Sequence, residues 1–146
     1  MTRVVAIDPG RNKCGLVLID KPRSLVEVGL VLPVHRVMDQ LIAWSCSGGV
    51  GLILLGNGTS SEAWDGQLQR VAPVQKVNER GTTLRARARF WELWPAKDWR
   101  ALLPFGMRVP PGELDAIAAL LMVEEHLEIT CRWPIPRPLF RTEPAP

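Results

Sequence analysis

The feature that most constrains the fold is the first apolar run of the chain. Residues Arg3 to Ile7 are largely β-branched or apolar, and they end at Asp8-Pro9-Gly10, a sequence that favours a tight turn. After Arg11-Asn12-Lys13, a second apolar run extends from Cys14 to Ile19. Because so short a connection joins antiparallel neighbours, the two runs predict a β-hairpin with Asp8 at the carboxyl end of its first strand.

The rest of the chain alternates between strand and helix patterns. A third strand is predicted over Leu25 to Leu32, and apolar residues at helical spacing predict a helix from Pro33 to about Cys46. Val50 to Leu55 is a continuous apolar run, typical of a strand covered on both faces. The later predicted elements are a short helix from Glu62 to Arg70, a short strand from Ala72 to Val77, a helix from Thr82 or Thr83 to about Trp94, a helical piece around Asp98 to Leu103, and a final helix opened by residues 110–115.

This order of elements, β-β-β-α-β-α-β-α-α, predicts an α/β fold. We expect a mixed five-stranded sheet in which strands 1–3 are antiparallel and the later strands are parallel, with helices on its faces. A chain of 146 residues has room for one ordinary domain. We assign residues 1–130 to that domain and the proline-rich residues 131–146 to a C-terminal tail.

Composition excludes several classes of protein. Apolar residues make up 47% of the chain, yet no apolar run reaches the roughly 20 residues that cross a bilayer. The N-terminus lacks the apolar stretch of a signal peptide, so we expect a cytoplasmic protein without a membrane partner. Cys14, Cys46 and Cys131 form no close pair, and we interpret them as buried thiols. The net charge of +3 is compatible with a polyanionic partner.

Three polar segments follow predicted strands: Asp8-Pro9-Gly10, Gly56-Asn57-Gly58-Thr59 and Asn78-Glu79-Arg80. They should meet at one edge, because the crevice of an open α/β sheet lies beyond the carboxyl ends of its parallel strands. Asp115, in the first turn of the final helix, is the natural fourth contributor. Hydrolysis of a phosphodiester by two divalent cations requires carboxylates from separate elements. Asp8, Glu79 and Asp115 are therefore the predicted catalytic residues and ligands of Mg²⁺ or Mn²⁺.

Each of these carboxylates also has a structural interpretation. Asp8 could only form the turn, Glu79 could be an exposed turn residue paired with Arg80, and Asp115 could complement the helix dipole. Glu113 points to a different side of the helix from Asp115, so we leave it outside the set. His35 and His126 lie far from the acidic motifs in the sequence, so they are interpreted as surface or packing residues.

Three motifs in order carry a family resemblance. Ala6-Ile7-Asp8-Pro9-Gly10 with Gly15, then Asn78 to Thr83, then Leu114 to Leu121 resemble the motifs of the Holliday-junction-resolvase-like, YqgF-type family of the RNase H superfamily. That family is also described as precursor 16S ribosomal RNA processing nucleases. The resemblance extends from Val4 to about Leu127, and it implies an RNase-H-like fold in which Asp8, Glu79 and Asp115 are the acidic residues.

The chain also departs from the family pattern. Asn78 stands where the family usually has an acidic residue, Gly81 where it has leucine, and Gly56-Asn57-Gly58 where it has a Gly-Leu-Pro type motif. Glu79 alone would then carry the acidic role of the middle motif.

The resulting expectation is a metal-dependent nuclease that cleaves structured nucleic acid, either precursor 16S ribosomal RNA or Holliday-junction-type DNA, as a monomer or a homodimer. Arg85, Arg87 and Arg89 form a basic segment that is either a solvated face or a phosphate contact. The predicted substrate-binding residues are Gly10, Lys13, Asn57, Thr59, Arg80 and Arg85.

Three alternatives remain at this point. The first is an RNase-H-like nucleic-acid-binding module that has lost catalysis, which Asn78 and the altered loops would explain. The second is an actin-like phosphate-binding fold, but those proteins enclose a nucleotide between two such domains. The third, a small-molecule α/β enzyme, is disfavoured because no Gly-x-Gly-x-x-Gly or Gly-x-x-x-x-Gly-Lys-Ser/Thr motif follows a strand.

Overall fold

The elements follow the order that the sequence predicts. The computed structural model describes residues 3–57, 61–78, 82–104, 107, 110 and 114–135. Its strands are β1 (Arg3–Asp8), β2 (Lys13–Asp20), β3 (Leu25–Pro33), β4 (Leu52–Gly56) and β5 (Val74–Val77). Its helices are α1 (Val37–Cys46), α2 (Ser61–Leu68), α3 (Thr82–Leu93) and α4 (Asp115–Leu127), with short 3₁₀ helices at Val34–Arg36 and Trp99–Leu102.

The five strands form one mixed sheet in the order β3-β2-β1-β4-β5. β1 pairs antiparallel with β2, and β2 pairs antiparallel with β3. On the other side of β1, β4 and then β5 run parallel to it. This arrangement confirms the predicted α/β fold, with its antiparallel strands 1–3, its parallel later strands and its flanking helices.

Alternating side chains divide the interior into two cores, one on each face of the sheet. Val4 and Ala6 of β1 face the core that α3 and α4 cover, whereas Val5 and Ile7 face the core that α1 and α2 cover. β1 and β4 are buried on both faces because they lie at the centre of the sheet, and Ile53, Leu54 and Leu55 have no exposed surface. The continuous apolar run in β4 therefore has the physical origin that the sequence indicated.

The final helix is more deeply buried than its sequence pattern predicts. One apolar face was expected, formed by Leu114, Ile117, Ala118, Leu121, Met122 and Leu127. In the structure the whole stretch from Ala116 to Val123 is buried, so the buried surface of the helix includes the predicted face and extends beyond it. α4 packs on β1, β2 and α3 together, and its alanines allow this close approach from several sides. Its last turn, from Glu124 to Leu127, is partly exposed.

Part of the predicted tail packs against the domain. Cys131 and Trp133 are buried in the core beneath α3 and α4. The N–H of Val26 donates to the carbonyl oxygen of Arg132 at 2.8 Å, and the N–H of Arg132 donates to that of Ser24 at 2.9 Å. The Trp133 ring occupies the space that a Cβ atom at Gly29 would need. Residues 131–135 thus cover the start of β3, and residues 136–146 of the predicted tail lie outside the described residues.

Several predicted boundaries differ by a few residues. The helix expected from Pro33 is a 3₁₀ turn followed by α1, because Pro33 itself is extended and the N–H of Val34 donates to the carbonyl oxygen of Asn12. Cys14 and Cys131 are buried as expected, but Cys46, at the end of α1, is exposed, so its interpretation as a buried thiol is wrong. Within the described ranges, no helix is long and apolar enough to cross a membrane.

Candidate functional site

One edge of the sheet collects the predicted polar segments. Asp8 ends β1, Asn57 follows β4, and Asn78 follows β5. These strands are neighbours and run in the same direction, so their carboxyl ends meet at this edge. The backbone N–H of Asn57 donates to the carbonyl oxygen of Val77 at 2.9 Å, which holds the ends of β4 and β5 together. Asn57 and Asn78 are exposed there.

Asp8 and Asp115 are brought together through Gly15. Asp8 continues the alternation of Val4 and Ala6, so it faces the side of the sheet that α4 covers. Its antiparallel partner on β2 is Gly15, and paired Cα atoms of this kind lie about 4.5–5.5 Å apart. A Cβ atom at Gly15 would overlap the backbone carbonyl oxygen of Asp115. Both aspartates therefore border the same glycine, one from the central strand and one from the first residue of α4.

The buried thiol of Cys14, which precedes Gly15 in β2, lies within electrostatic range of both carboxylates. Its pKa is raised to about 11, first because burial disfavours the thiolate. A backbone hydrogen bond at Gly10 lowers this pKa, and the negative charges of Asp8 and Asp115 raise it. Both carboxylates are thus close enough to act on the same sulfur atom.

Lys13 supplies a positive charge beside the aspartates. Its Nζ lies 3.6 Å from Oδ2 of Asp115, and the side chains of Lys13 and Asp115 are 42% and 35% exposed. An ion pair as accessible as this contributes under about 1 kcal/mol to stability. Gly10 allows the hairpin to turn back to Lys13, because a Cβ atom at Gly10 would overlap the carbonyl oxygen of Lys13.

The donor chemistry of the pair suits a hard divalent cation. Mg²⁺ and Mn²⁺ take oxygen ligands, and carboxylates from Asp8 and Asp115 are of that kind. Among the residues that the structure describes, no group of three histidine, cysteine, aspartate or glutamate side chains could hold a metal. Glu79, the third predicted ligand, lies outside those residues. Asp8 and Asp115 therefore fit as a two-carboxylate donor pair.

The other predicted site residues are distributed differently. Thr59, Glu79 and Arg80 lie outside the described residues, as does Glu113. Arg85 contacts Glu125, which lies ten residues beyond Asp115 on α4 and thus about 15 Å along the helix axis. The structure therefore does not bring Arg85 to the two aspartates.

Arg89 is largely buried and makes contacts within the protein, so it is not part of the solvated face that was considered for its segment. Its guanidinium donates to both carboxylate oxygens of Glu124, at 2.9 and 2.8 Å, and to the carbonyl oxygen of Cys131 at 3.0 Å. The side chains of Arg89 and Glu124 are only 13% and 10% exposed. This pair joins α3, α4 and the segment after α4.

A cavity near the same edge was not predicted from the sequence. It has a volume of about 400 Å³, and its lining residues are Val34, His35, Met38, Trp64 and Gln67. They come from the start of α1, including the preceding 3₁₀ turn, and from α2. From the sequence, His35 was interpreted only as a surface or packing residue. The apolar pattern of each helix does not show that the two helices leave a space between them.

No protein-family model matches the chain, and no curated protein matches its sequence. Its fold is that of an α/β protein with a mixed five-stranded sheet. Two aspartates, Asp8 and Asp115, border the same glycine at the carboxyl end of its first strand.

Proposed function

We propose that this protein is a metal-dependent nuclease that hydrolyses phosphodiester bonds in structured nucleic acid. The observation that carries this proposal is the juxtaposition of Asp8 and Asp115 across Gly15. Two carboxylates from separate elements at an open strand edge can share a cation and still leave room for a polymeric substrate. The resemblance to RNase-H-type nucleases assigns acidic residues to the same two positions.

The chain's own residues would position the reacting groups. When bound, Mg²⁺ or Mn²⁺ would help to ionise water and offset charge on the phosphate. Asp8 is fixed by the central strand and Asp115 by a buried helix, so neither carboxylate needs to be ordered when the substrate arrives. Lys13 lies beside Asp115 and can attract the phosphate backbone, while the amides of Asn57 and Asn78 can donate to phosphate oxygens.

The remaining parts of the prediction belong to this proposal. Glu79 would be the third ligand, and Gly10, Thr59 and Arg80 would contact the substrate. The substrate would be precursor 16S ribosomal RNA or branched DNA, the two classes that the resemblance implies. The proposal also includes a cytoplasmic location and action as a monomer or a homodimer.

A cleavage assay tests the proposal. Labelled four-way DNA junctions, linear duplexes and a precursor 16S ribosomal RNA fragment are incubated with Mg²⁺, Mn²⁺ or a chelator. Asp8→Asn and Asp115→Asn should each lower the cleavage rate by at least about 100-fold, because the amide lacks the negative charge with which the carboxylate would bind the cation. The control is Asp20→Asn, the same change at the opposite edge of the sheet, where Asp20 pairs with Arg23. If the Asp8→Asn variant cleaved these substrates at the wild-type rate, the proposal would be overturned.

A nucleic-acid-binding module without catalysis is the second candidate. Asn78 favours it, since an amide stands where the resembling family has a carboxylate. This candidate predicts that wild type and Asp8→Asn bind the same nucleic acids equally well, and that neither cleaves them with either metal.

A further inference from the structure

Lys13 lies on the same face of the sheet as the two aspartates. It begins β2, two residues before Gly15, and residues two apart on a strand point to the same face. Gly15 borders Asp115 on that face, whereas Cys14 is buried in the core on the opposite face. Asp8 also faces the side of the sheet that α4 covers. The two carboxylates and the ammonium group therefore belong to one face.

The backbone of Lys13 is held from two sides. In the antiparallel pairing of β2 with β3, its partner is Pro33, which fixes its register in the sheet. A Cβ atom at Gly10 would overlap the carbonyl oxygen of Lys13, so the turn after Asp8 packs directly on this residue. Only the side chain of Lys13 is then left to move, and it starts from a fixed point beside the aspartates.

The contact between Lys13 and Asp115 is an ion pair. The distance of 3.6 Å from Nζ to Oδ2 is longer than that of a hydrogen bond, so the attraction between these two atoms is electrostatic. A cation held by Asp115 would therefore have the Lys13 ammonium as a close neighbour of like charge, and such repulsion grows as the distance falls.

Charge balance limits the number of divalent cations that this group can hold. Asp8, Asp115 and the proposed ligand Glu79 carry three negative charges, and Lys13 carries one positive charge. The two negative charges that remain match one Mg²⁺ or Mn²⁺. A second such ion would make the group net positive and would also be repelled by Lys13. Within the described part of the chain, no group of three acidic, histidine or cysteine side chains supplies further metal ligands.

We infer that the site holds one divalent cation and that the Lys13 ammonium supplies the second positive charge. The inference rests on the proposed function and deepens it, because hydrolysis by two metal ions uses the second ion to offset charge on the phosphate. A lysine is a point charge on a flexible stem, so Lys13 can donate to a phosphate oxygen while it stays near Asp115. It would then take the role that the sequence alone assigned to a second ion.

Counting bound Mn²⁺ tests the inference without any cleavage. Mn²⁺ is titrated into the metal-free full chain, and the unbound ion is measured by electron paramagnetic resonance. Wild type should bind one Mn²⁺ that Asp8→Asn does not bind. Lys13→Met should bind this ion about 10-fold more tightly, because loss of a neighbouring positive charge has an effect of that order. Lys13→Arg keeps the charge and should bind Mn²⁺ like wild type.

Metal affinity and cleavage should change in opposite directions in Lys13→Met. At saturating Mn²⁺ this variant should cleave at least about 100-fold more slowly than wild type, since a positive charge that stabilises the transition state is lost. A merely structural role of Lys13 would instead lower metal affinity and cleavage together. Lys21→Met is the matched control, because it removes the same charge at an exposed position at the opposite edge of the sheet. It should leave both quantities unchanged.

The outcomes separate this inference from the proposed function. If wild type binds two Mn²⁺ that Asp8→Asn does not bind, or if Lys13→Met leaves the affinity unchanged, the inference is overturned, while cleavage in the earlier assay would still support the nuclease. An equal gain of affinity in Lys21→Met would reduce the effect to net charge and overturn it as well. Absence of Mn²⁺ binding by wild type would also overturn it, and the cleavage assay would then decide the nuclease separately.

Discussion

Gly15 packs so closely on the start of α4 that a side chain at this position would overlap the backbone carbonyl oxygen of Asp115. The same glycine is the antiparallel partner of Asp8. Its missing side chain therefore sets the separation of the two aspartates. The close approach of backbone to backbone is a physical reason for glycine here, independent of any requirement for unusual backbone angles.

Gly15→Ala should move the start of α4 away from β2. We expect a loss of about 1–3 kcal/mol in the free energy of unfolding, the usual cost of overpacking. Metal-dependent cleavage should also fall, because Asp115 would move relative to Asp8. Gly66→Ala is the control, since nothing lies within 4 Å of a Cβ atom there. In α2 that change should be neutral or stabilising by up to about 1 kcal/mol. Urea unfolding of the two variants measures the difference, and equal stabilities would contradict the packing argument.

Lys13→Met should affect nucleic-acid binding more than stability. The pair of Lys13 with Asp115 is accessible to solvent, so its loss should change the free energy of unfolding by less than about 1 kcal/mol. If Lys13 contacts a phosphate, the slope of log affinity against log salt should decrease by about 1. Fluorescence anisotropy at several salt concentrations measures this slope. Lys21→Met, an exposed lysine at the opposite edge, should leave it unchanged; the same slope in both variants would exclude a phosphate contact at Lys13.

Much of the fold followed from local patterns. The turn at Asp8-Pro9-Gly10 and the short connection to Lys13 require an antiparallel hairpin, and the all-apolar β4 requires burial on both faces. The burial of α4 did not follow, because a periodic pattern shows which residues are apolar and not how many neighbours cover them. Likewise, the proline content of residues 131–146 predicted a tail and did not show that Cys131 and Trp133 pack in the core. That packing depends on the space left at Gly29.

The site was predictable in part for the same reason. Asp8 at a strand end and Asp115 in a first turn are local properties, and the topology then brings them to one place. The partner of Arg89 is not local, since Glu124 is distant in sequence and only the packing of α3 on α4 joins them. The cavity at Trp64 depends in the same way on two helices that are separate in sequence.

Arg89→Met should be strongly destabilising. It would leave the largely buried carboxylate of Glu124 without its charged partner, and breaking a buried pair in this way costs about 3–5 kcal/mol. The double variant Arg89→Met/Glu124→Leu should lose clearly less than the sum of the two single changes. Arg23→Met is the control, because the Arg23 side chain is 75% exposed and its pair with Asp20 should contribute under about 1 kcal/mol. Additive losses in urea unfolding would show that Arg89 and Glu124 do not act as a pair.

The three thiols should differ in reactivity and in their effect on stability at high pH. Cys46 is exposed and should react with a thiol reagent in the folded protein, while Cys14 and Cys131 should not. The pKa of Cys131 is raised from its ordinary 9.0 to about 11, chiefly because burial disfavours the thiolate; the charge of Glu124 also raises this pKa, and that of Arg89 lowers it. Between these values the unfolded thiol loses its proton and the folded thiol keeps it, so stability should decline as the pH rises from about 9 to about 11.

Replacing single cysteines isolates that decline from other groups that titrate in the same range. Cys131→Ala should make the free energy of unfolding fall less steeply above pH 9, because one of the buried thiols no longer contributes. Cys46→Ala, the same change at an exposed thiol, is the matched control. Identical slopes in wild type and Cys131→Ala would refute the assignment.

Glu128→Gly should stabilise the protein through the end of α4. Glu128 caps the helix in the left-handed region with φ of 54°, and its backbone N–H donates to the carbonyl oxygen of Glu124. A side chain in this conformation costs about 1 kcal/mol relative to glycine, so the change should raise the free energy of unfolding by about 0.5–1 kcal/mol. His126→Gly places the same residue inside the last turn, where helical angles prevail, and should cost about 0.5–1 kcal/mol instead. Opposite signs in urea unfolding would support the strained cap, whereas destabilisation by both changes would show that the left-handed geometry at Glu128 stores no strain.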